Sequence, residues 1–399
     1  MARKSAAGTG TIRKKTVSRN GKSYTFWEAR YTAGYDPGTG KQIQRSITGK
    51  TQKEVAKKLK EATAAIDAGT YTAPSKMTVG EWLDIWTNEY LGGVKPLTVV
   101  SYKAAVETHL KPGLGAIRLE ALSAHTVQSF YNGLSEPRKG KGGKDMVLSP
   151  KTIKNVHGIL HRAIQQAVAN GYIRFNPTDA CILPRVIKKE IQPLDETQIS
   201  TFLKAIKGNQ YEDLFVTTLF TGMREGEVCG LLWDCVDLDR GTIVVNKQLQ
   251  LVRNTKGEHQ LVPTKNSKGR SITLAPFIVS VLRRVRHQQL ENRLRCGECW
   301  IGNDHVFTDE IGRYMKPQAV RREFKKVVTE MGCPTTRFHD LRHSYAVAAI
   351  KSGDDIKTVQ ENLGHATAAF TLDVYGHVTD QMKKESAARM ERFINAVNS

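Results

Sequence analysis

A chain of 399 residues is long enough for two or three domains, and 40% hydrophobic residues is adequate for ordinary cores. Sixty Lys and Arg against 39 Asp and Glu leave a formal charge of +21, which points to a polyanionic partner. There is no long apolar stretch and no signal peptide, so the sequence argues against a membrane protein and against secretion.

The charge is unevenly placed. Residues 1–60 hold 15 Lys or Arg against 3 Asp or Glu, a net +12, so over half the excess lies in this short segment. Residues 1–9 read as a disordered basic tail. Beyond them, Tyr24 to Tyr31 has the aromatic and β-branched composition of a strand. Asp36-Pro37-Gly38-Thr39-Gly40 is a turn, and Gln42 to Ile47 returns as a strand. Thr51-Gln52-Lys53-Glu54 reads as a capping box opening a helix to about Asp67. Residues 1–72 are therefore expected to form a small three-stranded sheet backed by one helix. Such a sheet can lay strands into a DNA groove. Its candidate contact residues are Arg13, Lys14, Lys15, Arg19, Lys22, Arg30 and Arg45.

Thr70 to Lys76 reads as a linker, and residues 77–180 as helices. Val79, Trp82, Leu83 and Trp86 form one buried stripe. Pro96-Leu97-Thr98 leads a helix to Leu110. Ser149-Pro150 caps another, with Ile153, Val156, Leu160, Ile164, Ala167 and Val168 at helical spacing and Asn170-Gly171 at its end. Residues 137–144 form a basic loop, either merely solvated or following phosphates. Cys181 to Pro193 is a second linker. Of six cysteines, only Cys296 and Cys299 have metal-like spacing, with His287 and His305 the near candidates to complete a zinc site. The pair reads better as a reduced loop feature, so no metal and no cofactor is expected.

The last 206 residues, 194–399, carry the chemistry. Leu214, Phe215, Val216, Leu219 and Phe220 lead into Gly222, which breaks the run. Arg224 then opens a second helix continuing through Val228, Leu231 and Leu232. An arginine at such a junction points off the scaffold, or else forms a surface pair with Glu227. Ile243 to Val252 is β-rich. Leu261-Val262, the turn cluster 266–269 and Arg270 to Leu274 read as the two strands and turn of a hairpin, with Lys265 beside the hairpin turn. His339 and Arg342 are three apart and share a helical face. Leu363-Gly364-His365 and Tyr375 follow. Arginine suits two-point phosphate binding, and a downstream tyrosine suggests an attacking phenol. There is no phosphate-binding loop of the ATPase type, no dinucleotide fingerprint and no acidic cluster suited to two metal ions.

In chain order the set is Arg224, Lys265, His339, Arg342, His365 and Tyr375. Thr-Gly-Met-Arg-x-x-Glu, His-x-Leu-Arg-His, Leu-Gly-His and a tyrosine ten residues later resemble the tyrosine recombinases of the phage-integrase type. The resemblance implies a multidomain α+β chain. Residues 1–72 would bind arm-type DNA sites, 77–180 would form a helical core-binding domain, 181–193 a linker, and 194–399 a mainly helical catalytic domain with a small antiparallel sheet. The helical and catalytic domains would close around the duplex. Arg224 and Arg342 would hold the phosphate, aided by His365. His339 would accept the phenolic proton, Lys265 would protonate the leaving 5′ oxygen, and Tyr375 would attack. Glu227 would orient Arg224. His343 would play a supporting part at most.

The implied activity is site-specific recombination of a bacterial mobile element, a prophage or conjugative transposon, through a 3′-phosphotyrosine. It needs neither metal nor ATP. The implied partners are double-stranded DNA at core and arm sites, a tetramer of the chain on that DNA, and an excisionase or DNA-bending host protein. The setting would be the bacterial cytoplasm, at the nucleoid. A C-terminal helix from Thr379, with Met382, Ser386, Met390, Phe393, Ile394 and Val397 on one face, would dock on a neighbouring protomer or on its own domain. Competing readings are a resolvase or invertase with the same chemistry, or a DNA-binding regulator without catalysis. The basic N-terminal domain argues against the first, and the complete residue set against the second.

Overall fold

The computed structural model describes residues 10–19, 21–35, 38–68, 76–139, 145–187, 192–251, 259–264, 269–365, 367, 372 and 379–398. The chain divides into two compact units, Met1–Ile187 and Lys188–Ser399. The expected basic tail and the first linker, but for Lys76, fall outside the described residues, as do Lys265 and Tyr375.

The first unit contains two separate hydrophobic cores. The smaller one lies under an antiparallel sheet of β1 (Thr11–Arg19), β2 (Lys22–Tyr35) and β3 (Gln42–Gly49), in that order. Period-2 alternation sends Trp27, Ala29 and Tyr31 toward helix α1 (Gln52–Asp67), where they meet Val55 and Leu59. The expected capping box is only half formed. Thr51 accepts from the Glu54 N–H at 3.2 Å, but the Glu54 carboxylate accepts from the Lys50 N–H rather than closing on Thr51. Lys58 also donates to that carboxylate.

Glu28 projects from the opposite face of β2 and is buried beneath cations. Arg13 donates to it from Nε at 3.0 Å and Nη2 at 2.7 Å, Lys15 at 3.2 Å, and Arg30 lies 3.6 Å away. Its carboxyl is held below the usual range chiefly by the Arg13 hydrogen bond. The strand register sets Lys14 opposite Trp27 and Arg45 opposite Tyr31, on the helix side. The candidate DNA contacts are thus divided between two faces.

The larger core is helical. In α2 (Val79–Glu89), Thr78 and Glu81 form a full capping box, and Val79, Trp82, Leu83 and Trp86 are buried. Trp82 Nε1 donates to the Ala163 carbonyl at 2.8 Å. Helix α3 (Pro96–Ala105) does not stop at Leu110. It passes through one π turn, Val106–Leu110, into α4 (Lys111–Leu114). The widened turn precedes Pro112, whose ring would clash with the carbonyl four residues back in a regular helix. Helix α5 (Ala124–Leu134) falls in the stretch expected to be helical, but no individual sequence signal is assigned to it. Helix α6 (Pro150–Ala169) is capped by Ser149 and buries Ile159 and Ala163 besides most of the expected stripe. The ends of the basic loop pair as β4 (Arg138–Lys139) and β5 (Asp145–Met146).

The second unit packs α7 (Glu196–Ala205), α8 (Glu212–Thr221), α10 (Pro276–Cys296), α11 (Pro317–Glu330) and α12 (Phe338–Lys351) around one core. Phe202, Phe215, Phe324 and Phe338 meet there, with ring centroids 5.5 to 6.1 Å apart. Helix α9 (Glu225–Cys229) is one short turn that ends at Gly230, rather than running on through Leu232. A side chain at Gly230 would strike the Leu249 backbone, at 2.6 Å, so only glycine lets the chain at Leu249 pack this close to the helix end.

The strands also differ from expectation. β6 (Val236–Asp237), β7 (Thr242–Val245) and β10 (Arg270–Thr273) form one sheet, while β8 (Lys247–Leu251) pairs with β9 (His259–Pro263) in another. β9 and β10 are therefore not partners in a hairpin; they belong to different sheets. Helix α13 (Ile356–Leu363) follows α12, and a terminal helix spans Thr379–Asn398. On the latter, Met390, Phe393, Ile394 and Val397 are exposed. Among the described residues no helix is long and apolar enough to cross a membrane.

Candidate active site

Four of the six expected catalytic residues lie among the described residues, and the second unit gathers them at the C-terminus of α13. Gly222 ends α8 in the left-handed conformation, φ 65°. That reversal puts Arg224 at the start of α9. Arg342, from the middle of α12, is 2% exposed, and donates from Nη1 to the Gly222 carbonyl at 2.7 Å and from Nη2 to the Leu363 carbonyl at 2.5 Å. Arg224 donates from Nη2 to the Gly364 carbonyl at 3.2 Å. One arginine thus reaches across α8 and α13, and the other ties α9 to the same turn.

Glu227 lies on the inner side of this pair and is buried. It accepts Arg224 Nη1 at 2.7 Å and the Arg224 backbone N–H at 2.9 Å. It also accepts Arg270 at 3.1 and 2.6 Å. Burial alone would raise this carboxyl, but the Arg270 hydrogen bond and the charges of Arg270 and Arg224 outweigh it and bring it to about 2. The surface-pair alternative for Arg224 and Glu227 is thereby replaced by a buried pair with a second arginine.

The histidines are held neutral. His365 is lowered to about 3 by burial first, then by the charges of Arg342 and Arg224. His339 is lowered by desolvation and the same two arginines, yet keeps an exposed face. His343 stands edge-on to it, ring centroids 5.0 Å apart, and is lowered to about 4, mainly by burial. A neutral imidazole can donate from one nitrogen and accept at the other. The arrangement can therefore hold an anion with two guanidiniums and accept a proton beside it.

Arg270 is the residue that motif reasoning missed. Its signal was present: residues 270, 272 and 274 share one face of a strand, and Ile272 and Leu274 are buried. A cation in phase with buried residues calls for a buried partner. Cys296 and Cys299, at the end of α10, are free thiols, and Cys296 Sγ approaches the Glu310 carbonyl at 3.2 Å. Among the described residues no group of three His, Cys, Asp or Glu side chains is arranged to hold a metal ion.

The profile of the phage integrase family matches residues 192–382, and that of the phage integrase N-terminal SAM-like domain matches residues 78–135. The chain belongs to the phage integrase family of tyrosine recombinases, which cut and rejoin DNA. Among curated relatives, a tyrosine recombinase XerC-like protein of Caldanaerobacter subterraneus subsp. tengcongensis is 28% identical over 390 residues, covering 93% of this chain and 96% of the relative. An integrase of Streptomyces ambofaciens is 28% identical over 354 residues, covering 88% of each. Among solved structures, the Tn1549 transposon integrase in complex with transposon right end DNA is 24% identical, with a TM-score of 0.66, over 80% of this chain and 100% of that one. A lambda integrase dimer bound to a core site is 18% identical, with a TM-score of 0.56, over 90% of this chain and 95% of that one.

Proposed function

We propose that the protein is a site-specific recombinase that integrates and excises a bacterial mobile element, with Tyr375 as nucleophile. The observation that carries this reading is the pair of guanidiniums, Arg224 and Arg342, held on one turn beside two neutral histidines. In the cleavage step the Tyr375 oxygen attacks the phosphorus and its proton passes to His339. The bond from phosphorus to the 5′ oxygen breaks, and that oxygen takes a proton from Lys265. The product is a 3′-phosphotyrosine and a free 5′ hydroxyl. Negative charge grows on the non-bridging oxygens, where oriented cations stabilise the transition state most. Arg224, Arg342 and the His365 N–H serve that role. Attack by another 5′ hydroxyl runs the step in reverse and joins new strands.

Residues 1–72 are proposed to bind arm sites, residues 77–180 core sites, and 194–399 to carry catalysis. The partners are double-stranded DNA and further copies of the chain, four on a recombining pair of sites. An excisionase or a DNA-bending host protein is a further proposed partner. Because its proposed substrate is chromosomal DNA, we assign the protein to the bacterial cytoplasm, at the nucleoid. The tetrameric reading is supported by a lambda integrase of similar fold, solved as a tetramer bound to a Holliday junction. The test is a nicked suicide substrate that traps the covalent adduct. Wild-type protein should give a DNA-linked band that survives denaturation, and Tyr375→Phe should bind DNA but give none. An adduct formed by Tyr375→Phe would refute the assignment.

A further inference from the structure

Three successive carbonyls at the end of α13 each accept from a different arginine. Arg270 Nε donates to Asn362 O at 2.6 Å, Arg342 Nη2 to Leu363 O at 2.5 Å, and Arg224 Nη2 to Gly364 O at 3.2 Å. Carbonyls at a helix C-terminus lack donors within the helix and carry its negative dipole end, so cations collect there. Two of these arginines belong to the phosphate site. Among the described residues, the third, Arg270, makes no hydrogen bond to the reacting groups assigned above.

Arg270 has all three nitrogens engaged. Besides Asn362 O, its Nη1 meets Glu227 Oε1 at 3.1 Å and its Nη2 meets Glu227 Oε2 at 2.6 Å. Glu227 Oε1 also receives Arg224 Nη1. The Arg270 side chain is only 10% exposed. Gly364, just before His365, lies against it, and a Cβ there would come within 3.0 Å of Arg270 Cδ. One guanidinium therefore braces both the carboxylate that steers Arg224 and the turn that presents His365.

We propose that Arg270 is a positioning residue for strand cleavage, acting through Glu227 on Arg224 and through the Asn362 carbonyl on the His365 turn. The inference rests on the recombinase reading above. A planar fork is needed, because one group must satisfy two carboxylate oxygens and a carbonyl at once. Arg270 also opens the strand that follows Lys265, so an effect through that segment is the competing account.

The experiment measures single-turnover adduct formation on suicide substrates with full-length protein, alongside DNA affinity by titration. Arg270→Gln should slow adduct formation about 100-fold, the order expected when a reacting group is misplaced by an ångström. Its DNA affinity should be unchanged. Arg270→Lys, which keeps charge without the fork, should fall between wild type and Arg270→Gln. The double variant Glu227→Gln/Arg270→Gln should be no slower than Arg270→Gln, since both residues act through one link. A substrate with a 5′-bridging phosphorothiolate, whose leaving group needs no proton, should not restore Arg270→Gln.

Restoration by that substrate would overturn the proposal in favour of the Lys265 segment. Multiplicative losses in the double variant would overturn the link through Glu227. Parallel losses of DNA affinity, melting temperature and rate would reduce Arg270 to a structural role. If Arg270→Gln fails to fold, Arg270→Lys and the neutral double variant carry the same comparison. Wild-type and Tyr375→Phe proteins run beside them: an adduct-free wild type would refute the recombinase reading itself, while a normal wild type with a fully active Arg270→Gln refutes only the role of Arg270.

Discussion

Gly222→Ala tests whether the α8 terminus sets the position of Arg342. Gly222 has φ 65°, where an L-residue with a Cβ is disfavoured by about 1–2 kcal/mol. The added methyl would lie 2.5 Å from Tyr345 Cδ1 and 2.7 Å from Leu363 Cδ2. Both neighbours belong to packed helices, so overpacking adds about 1–3 kcal/mol. The expected loss is about 3 kcal/mol, or roughly 6–12 °C in the transition of a unit this size. Relief of the clash must move Leu363 or the Gly222 peptide, and both of their carbonyls hold Arg342. Cleavage should therefore fall with stability. Gly208→Ala is the control, because Gly208 has φ 77° with nothing within 4 Å of a built Cβ. It should lose only the backbone contribution and keep its cleavage rate. The assays are calorimetry of the full chain and single-turnover adduct formation well below both transitions. If Gly222→Ala melts with Gly208→Ala and cleaves at the wild-type rate, the coupling between this turn and Arg342 is wrong.

Lys265→Ala should slow cleavage of ordinary DNA severely and regain most of the rate on a 5′-bridging phosphorothiolate; no recovery would leave Lys265 with a phosphate-binding role only. His343 and His365 titrate at about 4 and about 3 in the fold, below the ordinary 6.5. The unfolded chain takes up these protons first, so their stability is complete above about pH 6.5 and lost as pH falls. The slope is about 1.4 kcal/mol per pH unit for each imidazole. Urea unfolding at pH 7.5 and 5.5 should show this, and His365→Gln should lose about 1 kcal/mol less between them; an identical pH response would contradict the burial argument. Deleting residues 1–72 should spare cleavage at core sites and remove binding to distal repeats. The slope of log affinity against log salt should drop by about 0.9 for each phosphate that the shortened protein no longer neutralises. An unchanged slope would assign those phosphates to another part of the chain.

Much of the site was legible because short-range spacing encodes it. Gly222 ahead of Arg224, the three-residue step from His339 to Arg342, and Gly364 before His365 each mark a helix end or face. The buried stripes of α2 and α6 were equally plain, since one periodicity governs each. Other features depend on contacts between distant segments. Strand composition could not tell that β9 pairs with β8 while β10 pairs with β7, because both are short and β-rich. Glu28 read as one acid among many bases, and only the strand register brings Arg13 onto it. Arg270 is 43 residues from Glu227 and 92 from Asn362, so no local pattern names its partners. The sequence by itself therefore determined the break at Gly222 and the faces of α2, α6 and α12, though not every helix end. The tertiary structure decided which carboxylate and which carbonyls each buried arginine satisfies. A guanidinium removed from water must find its acceptors wherever the packed chain supplies them.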